Sequence, residues 1–450
     1  MKRALMDGLI VLAAEVDGRR LDVRVRDGVV SEIGSLRPGR GEPTVMARGG
    51  ALLPGLHDHH LHLLSMAAAN QSVRCGPPES AGPDDLAAVL RGVPADRRWI
   101  RGIGYHESVA GILDRHAIDR MVADRPVRIQ HRSGALWMLN TSALAELRLL
   151  DEFDDGRLWR RDELLRERLD DHEPPDLAAV GRRLAALGIT GVTDATPNLT
   201  PAAIDLLASG ALPQRVQLLG APKDAELPEG VTIGPHKILR PDHEPPLWDE
   251  LYDEVVTAHE AGRPVAIHAV RRESLILALA VLDEIGSLPG DRIEHAALVG
   301  DNAIPLLAEV GAVVVTQPGF VVDRQREYGR DIPESEQGDL YRYASLLQAG
   351  IPVVASSDAP FGSEDLWHTI AAAGKRTLGR SERVAPRKVL DGLLTPLADP
   401  GGRPRRIEIG APADLCLLRV PLAEALAAPD SDAVYTAVCR GVVQNSEALC

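Results

Sequence analysis

Apolar and polar positions divide the chain into three regimes. Over the first fifty residues, short β-rich runs at 9–12 and 21–25 are separated by Asp17-Gly18 and Asp27-Gly28, dipeptides that suit two-residue hairpin turns. The final forty residues read alike, with runs at 413–418, 433–438 and 441–443. Two β-rich ends around a different middle predict a small β-sandwich built jointly from residues 1–52 and 388–450, the alternative being two unrelated flanking hairpins. In the middle, apolar β-like runs alternate with stretches of helical periodicity such as 247–261 and 273–285. The runs lie at 52–61, 189–195, 215–220, 236–239, 265–269, 292–296, 312–317 and 352–357, which makes eight. Eight βα units predict an α/β fold, a (β/α)8 TIM barrel over residues 53–387. The gap after the first run is too long for one crossover. Residues from about 66 to 175 therefore read as an inserted subdomain with β-like pieces of its own at 99–105 and 127–131. Within it, 154–174 is crowded with Arg, Asp and Glu and reads as a solvated helix and loop.

Composition narrows the class of protein. With 50 basic against 65 acidic residues in 450, the net charge of −15 disfavours nucleic acid and anionic membrane as partners. Aromatics at 3% leave little to stack single-stranded bases on. The four cysteines, Cys75, Cys416, Cys439 and Cys450, are widely spaced, so they form neither a disulfide framework nor a thiolate zinc site. Met1-Lys2-Arg3 and the short apolar run after it begin like a secretory signal, but Asp7, Gly8, Glu15 and Asp17 break it up. No stretch has about 18 uncharged apolar residues in a row, so no membrane-spanning helix is expected. A cytoplasmic enzyme acting on a small molecule is the expectation, with a homodimer as the commonest assembly.

Histidine is scarce at 14 copies, which makes its positions informative. The densest group is Gly55-Leu56-His57-Asp58-His59-His60-Leu61-His62. On a strand, Asp58, His60 and His62 share one side while His57 and His59 share the other. Either histidine pair has the spacing to grip one metal ion. His60 and His62 are favoured because they lie nearer the strand's C-terminal end, where barrel active sites are built. Three other apolar runs also end in ligand types: His268, His295 and Asp358. Lys237, in Gly234-Pro235-His236-Lys237-Ile238-Leu239, sits on the fourth apolar run, where burial would lower its basicity and allow covalent chemistry. No Walker A loop, dinucleotide fingerprint, H-E-x-x-H or G-x-S-x-G motif is present, and no organic cofactor site is expected.

These residues resemble the amidohydrolase superfamily. Leu53-Pro54-Gly55-Leu56 leading into Asp58-x-His60-x-His62 is similar to its first-strand signature, and the order of ligand types along the strands is similar too. More narrowly, the chain resembles the amidohydrolase-3 (YtcJ-like) branch, which includes N-substituted formamide deformylases. The stretches carrying this likeness are Trp99–Tyr105, Arg125-Pro126-Val127 with Asn140-Thr141-Ser142-Ala143-Leu144, Ser356-Ser357-Asp358-Ala359-Pro360 and Gly410-Ala411-Pro412-Ala413-Asp414-Leu415. Many relatives have Asp-Gly after the lysine region, where this chain has Pro241-Asp242. Many also have a histidine before the Trp of the insertion motif, where this chain has Arg132-Ser133-Gly134-Ala135-Leu136-Trp137, with His131 close by.

The resemblance implies a centre of one or two divalent metals. His60 and His62 would hold one, His268 and His295 a second, Lys237 would bridge them as a carbamate, and Asp358 would bind both metal and attacking water. Histidine and carboxylate ligands fit zinc, with manganese or iron as alternatives. The expected chemistry is hydrolysis of a non-peptide amide-type C–N bond by metal-activated hydroxide. Asp358 would move the proton from water to the leaving nitrogen, and His131 or Arg132 would help the metal polarise the carbonyl. Glu107, Arg132, Trp137, Gln317 and Phe320 sit in segments with access to a pocket. The competing expectations are a cyclic amide hydrolase or hydrolytic deaminase on the same barrel and, from another class, a non-catalytic metal-binding barrel.

Overall fold

The N-terminal hairpin signals turn the chain as their residues dictate. Asp17 and Gly18 have φ of 48° and 76°, and Asp27 and Gly28 have 50° and 72°, the left-handed pairs a type I′ turn needs. They join Leu9–Val16, Arg19–Arg26 and Val29–Gly34 into an antiparallel set, with Thr44–Met46 parallel to the first strand. A second four-stranded sheet has the order Val442–Val443, Val434–Cys439, Leu415–Leu418, Leu52–Pro54. Inward residues of both sheets, including Val11, Val23, Val30, Val45, Leu415, Leu417 and Val438, belong to one buried apolar cluster. The structure is a computed structural model, and it describes residues 8–77, 79–169, 175–240 and 247–449. The basic start of the chain, part of the charged 154–174 stretch, Pro241-Asp242 and Cys450 lie outside the described residues.

The run at 52–61, expected as one strand, is two. Leu52–Pro54 pairs antiparallel with Leu415–Leu418, whereas Leu56–Leu61 pairs parallel with Ile189–Asp194. Gly55 is the joint, and a Cβ there would lie 2.2 Å from the side chain of Thr190, so only glycine lets the strands approach this closely.

All eight expected runs contain a parallel strand, joined by a ninth at Val231–Ile233. They form two sheets. One has the order Val231–Ile233, Arg215–Leu218, Ile189–Asp194, Leu56–Leu61, and the other runs His236–Ile238, Val265–Ala269, Arg292–His295, Val313–Thr316, Val353–Ala355. A single closed ladder was expected. Instead the ladder is interrupted at Gly234-Pro235, where proline has no N–H to donate, and after Ala355, where the chain turns into Ser357 and Asp358 (φ 53°). Isolated backbone bonds bridge the second gap, from Asp358 N to His60 O and from His62 N to Ala359 O, both at 2.9 Å. Helices Trp248–Glu260 and Arg272–Ile285 follow their strands with one apolar face buried through Leu251, Val255, Leu275 and Leu282.

Contacts divide the chain into two units, Leu64–Asp176 and the remainder. In the smaller unit a five-stranded sheet has the order Arg157–Trp159, Leu136–Leu139, Val127–His131, Ile100–Tyr105, Val73–Arg74. Its core gathers Leu86, Ile100, Val127, Ile129 and Met138. Buried Asn140 knits it together, accepting from Val127 N and Ala143 N and donating to Val122 O and Arg125 O. Among the described residues no helix is long and apolar enough to cross a membrane, and Cys75, Cys416 and Cys439 are buried free thiols.

Candidate metal centre

The Leu56–Leu61 strand is buried along its whole length, so its alternation decides where each histidine goes. His57 and His59 face away from the cluster described below. The His57 ring lies against Gly191, where a Cβ would come within 2.4 Å of it, and His59 Nε2 meets Thr395 Oγ1 at 3.1 Å. Burial drives the imidazole of His57 well below its usual range and that of His59 down to about 3, so both stay neutral. Asp58, on the opposite side, anchors the strand to its neighbour. Its Oδ1 accepts from Ser357 N at 3.1 Å and His60 N at 3.3 Å, and burial lifts its carboxyl to about 6.

His60, His62 and Asp358 converge. His62 Nε2 lies 3.2 Å and His60 Nε2 3.6 Å from Asp358 Oδ1, and one ligand atom from each residue falls within 4.8 Å of the others. Despite these approaches, Asp358 Oδ1 has no hydrogen bond of acceptable geometry. Three ligand atoms of the right types converge on a common point, with a buried oxygen left unsatisfied; that arrangement fits a divalent cation. Burial pushes the Asp358 carboxyl up, but the imidazoles of His62, His60 and His295 more than reverse this and hold it well below the usual range. It is therefore ionised across the neutral range.

The other ring nitrogens are committed, which fixes orientation. His60 Nδ1 donates to Glu294 Oε2 in a short contact between two almost fully buried groups. Glu294 Oε1 in turn accepts from Arg292 Nε at 2.6 Å, and Arg292 Nη2 donates to His59 O at 2.8 Å. Burial drops the His60 imidazole to about 4, so the proton on Nδ1 leaves Nε2 with a free lone pair toward Asp358. A carboxylate behind a ligating imidazole is the usual way a metal-binding histidine is oriented. His62 is steered by Thr196, whose Oγ1 lies 3.2 Å from its Nδ1.

His295 and His268 stand beside this group without joining its tight set. The His295 ring centroid lies 4.8 Å from that of His60 and 4.6 Å from that of His268. His295 Nδ1 donates to Gln317 Oε1 at 2.8 Å, and Gln317 donates to Ser356 Oγ at 2.9 Å. His295 has φ of 71°, and this left-handed turn ends the regular alternation of its strand beside Glu294. Lys237 is buried with no hydrogen-bond partner for Nζ, and burial lowers its ammonium to about 8 against the opposing pull of Glu294 and Asp358.

His131 and Arg132 belong to the smaller unit. His131 ends the Val127–His131 strand, with Nε2 donating to Glu107 at 2.9 Å and Nδ1 accepting from Ser133 N at 3.2 Å. Arg132 follows it, its N–H bonded to Tyr105 O at 2.8 Å. Trp137 lies in the same sheet beneath Arg101 and Arg128, each guanidinium 5.6 Å from its ring centroid. Phe320 packs with Tyr341 in a buried cluster.

Sequence reasoning missed Glu294 and Arg292. The signal was present, because Arg292-Ile293-Glu294-His295 puts three charged or polar residues into a four-residue strand that lies buried in a parallel sheet. Such side chains are buried almost exclusively when paired.

Comparisons with known proteins bear on this arrangement. A family model described as the amidohydrolase family matches residues 44–446. Imidazolonepropionase of Ectopseudomonas mendocina (strain ymp) is 28% identical over 427 residues, spanning 92% of this chain and 89% of that protein. N-substituted formamide deformylase of Arthrobacter pascens is 22% identical over 415 residues, spanning 72% and 74% respectively. Among solved structures, an uncharacterized metal-dependent hydrolase from Pyrococcus horikoshii OT3 superimposes with a TM-score of 0.72 at 20% identity, covering 96% of this chain and 99% of that one.

Proposed function

The chain belongs to the amidohydrolase family, and from that premise we propose that it hydrolyses an amide-type, non-peptide C–N bond of a small molecule at a metal centre held by His60, His62 and Asp358. The observation that carries this reading is the convergence of two imidazoles on a buried carboxylate oxygen that has no hydrogen bond. A divalent ion bound there, zinc by ligand chemistry, supplies Lewis acidity that brings the pKa of water from 15.7 to about 7.

The chain's own residues do the rest. Glu294 holds the proton of His60 on Nδ1 and keeps Nε2 available. Asp358, ionised at neutral pH, accepts the proton of the attacking water and returns it to the leaving nitrogen as the C–N bond breaks. The unpartnered amine of Lys237 supports addition to carbon dioxide, giving a carbamate and a proton, with His268 and His295 as neighbouring ligands for a second ion. We read the two parallel sheets as one barrel, the terminal sheets as a sandwich beside it and the cytoplasm as its location.

The fuller likeness to imidazolonepropionase, 92% of this chain against 72% for the formamide deformylase, favours a cyclic amide as the second reading for the substrate. The test is a screen of zinc-loaded protein against N-formyl, N-acyl and cyclic amides, run beside chelator-treated protein and with metal counted per chain. Turnover surviving complete metal removal would overturn the proposal.

A further inference from the structure

One sizeable cavity lies away from the histidines. It lies at the other end of the Leu56–Leu61 strand, where a space of about 700 Å3 is bordered by the Leu52–Pro54 strand, the helix Pro386–Leu393 and the helix Leu422–Ala427. None of His60, His62 and Asp358 is among the residues that line it, so this space is separate from the metal centre. The volume falls in the range of small-molecule sites.

Much of its wall is apolar, including Leu390, Leu394 and Leu426. Its charges are unevenly satisfied. Arg387 is matched by Asp391 at 2.8 Å, and Glu15 accepts from Leu422 N at 2.8 Å. Arg405 differs, since its Nε donates to Leu394 O at 3.0 Å and its Nη2 to Gly55 O at 2.5 Å, both neutral carbonyls. The nearby acid that acts on it, Asp414, is already bound by Arg215 at 2.5 Å. Burial lowers the Arg405 guanidinium to about 10, a sign that its charge is poorly compensated. Among the described residues no carboxylate pairs with Arg405 or with its neighbour Arg406, and both line the cavity. With Glu15, Asp17 and Asp391 also on the wall, a dianion would meet repulsion, whereas a single negative charge would be drawn to the arginines.

We propose that this cavity is a second ligand site, distinct from the metal centre, that binds a small organic monocarboxylate with its head on Arg405 and Arg406 and its apolar body against Leu390, Leu394 and Leu426. A guanidinium matches a carboxylate in geometry as well as charge. The site does not depend on the proposed hydrolysis.

Calorimetric titration of the full-length protein with octanoate tests this. Saturable binding of one octanoate per chain is expected, with 1-octanol and acetate each at least tenfold weaker. Leu426→Trp fills the apolar end and Arg405→Gln removes the charge, and each should weaken octanoate at least tenfold. Leu426→Trp keeps the test valid if Arg405→Gln fails to fold, because it leaves the bonds to Gly55 and Leu394 intact. Asp358→Asn should bind octanoate like the wild type. Absence of saturable binding, equal binding of octanol, persistence in Leu426→Trp, or loss in Asp358→Asn would each overturn the proposal.

Discussion

Among the described residues, two clusters that each set a pair of histidines about one carboxylate have little else in common. In one, His60 and His62 flank Asp358; in the other, His106 and His131 flank Glu107, with Nε2 atoms 3.4 and 2.9 Å from Glu107 Oε2. The second cluster satisfies itself locally. His106 Nδ1 accepts from Ser108 N and His131 Nδ1 from Ser133 N, both at 3.2 Å, which leaves the Nε2 protons for Glu107. Glu107 is half exposed, and the bond from His131 holds its carboxyl down at about 2. In the first cluster, distant strands supply the partners: Glu294, 234 positions away, accepts the hydrogen bond from His60 Nδ1, and Asp358 Oδ1 is left without one. Proximity of ligand types is common to both clusters, whereas a buried carboxylate oxygen left without a hydrogen bond belongs to the first alone.

Asp358→Asn should break the contrast most severely. The amide keeps the shape but loses the charge and the basicity, so turnover should fall by about 10²–10⁴-fold in steady-state assays of metal-loaded protein. Near wild-type turnover would remove Asp358 from its assigned role. Next in size is the effect of Lys237, which titrates at about 8 against an ordinary 10.5. Because the folded state releases this proton first, the unfolded chain binds more protons between those values. Stability should therefore rise with pH across that window, with the penalty fully present below pH 8. The gap corresponds to about 3 kcal/mol. Urea unfolding of chelator-treated protein from pH 7.5 to 10 should show this rise in the wild type and not in Lys237→Met; the same slope in both would assign it elsewhere.

How far the sequence led depends on whether the determinant was local. Asp-Gly turns, strand runs and the two-residue repeat of His60 and His62 are short-range features, and the structure carries each of them. Alternation left two histidine pairs open, and what separates them is tertiary: His57 packs on Gly191 and His59 on Thr395, while His60 meets Glu294. The joint at Gly55 depends on Thr190, 135 positions away, and so was read as continuous strand. The placement of His295 beside Glu294 depends on a left-handed backbone that no strand pattern announces. The cavity around Arg405 was invisible for the same reason, since five separated segments make its walls.

Glu294→Gln sharpens the comparison by removing the long-range partner without removing a ligand. An amide can still accept from His60 Nδ1, but it no longer balances Arg292 or strengthens the imidazole. Zinc affinity, measured by competition with a chromophoric chelator, should fall about 10–100-fold, the usual cost of losing a carboxylate behind a metal-bound histidine. Unaltered affinity would reduce the Arg292–Glu294–His60 chain to packing.

The smallest effect belongs to the other cluster. Glu107→Gln leaves the backbone bonds to His106 and His131 in place and removes a half-exposed charge. Zinc content per chain should not change, and the loss of stability at pH 7 should be about 1 kcal/mol or less, because solvent screens such pairs. The depressed Glu107 carboxyl gives the sign of the pH dependence: its contribution is present above pH 4.5 and fades as pH falls toward 2. The wild type and Glu107→Gln should therefore converge in stability on acidification, measured by thermal unfolding at pH 7 and pH 3. A variant that lost zinc would mean that the locally satisfied cluster is a metal site after all, and that satisfied hydrogen bonding does not separate the two.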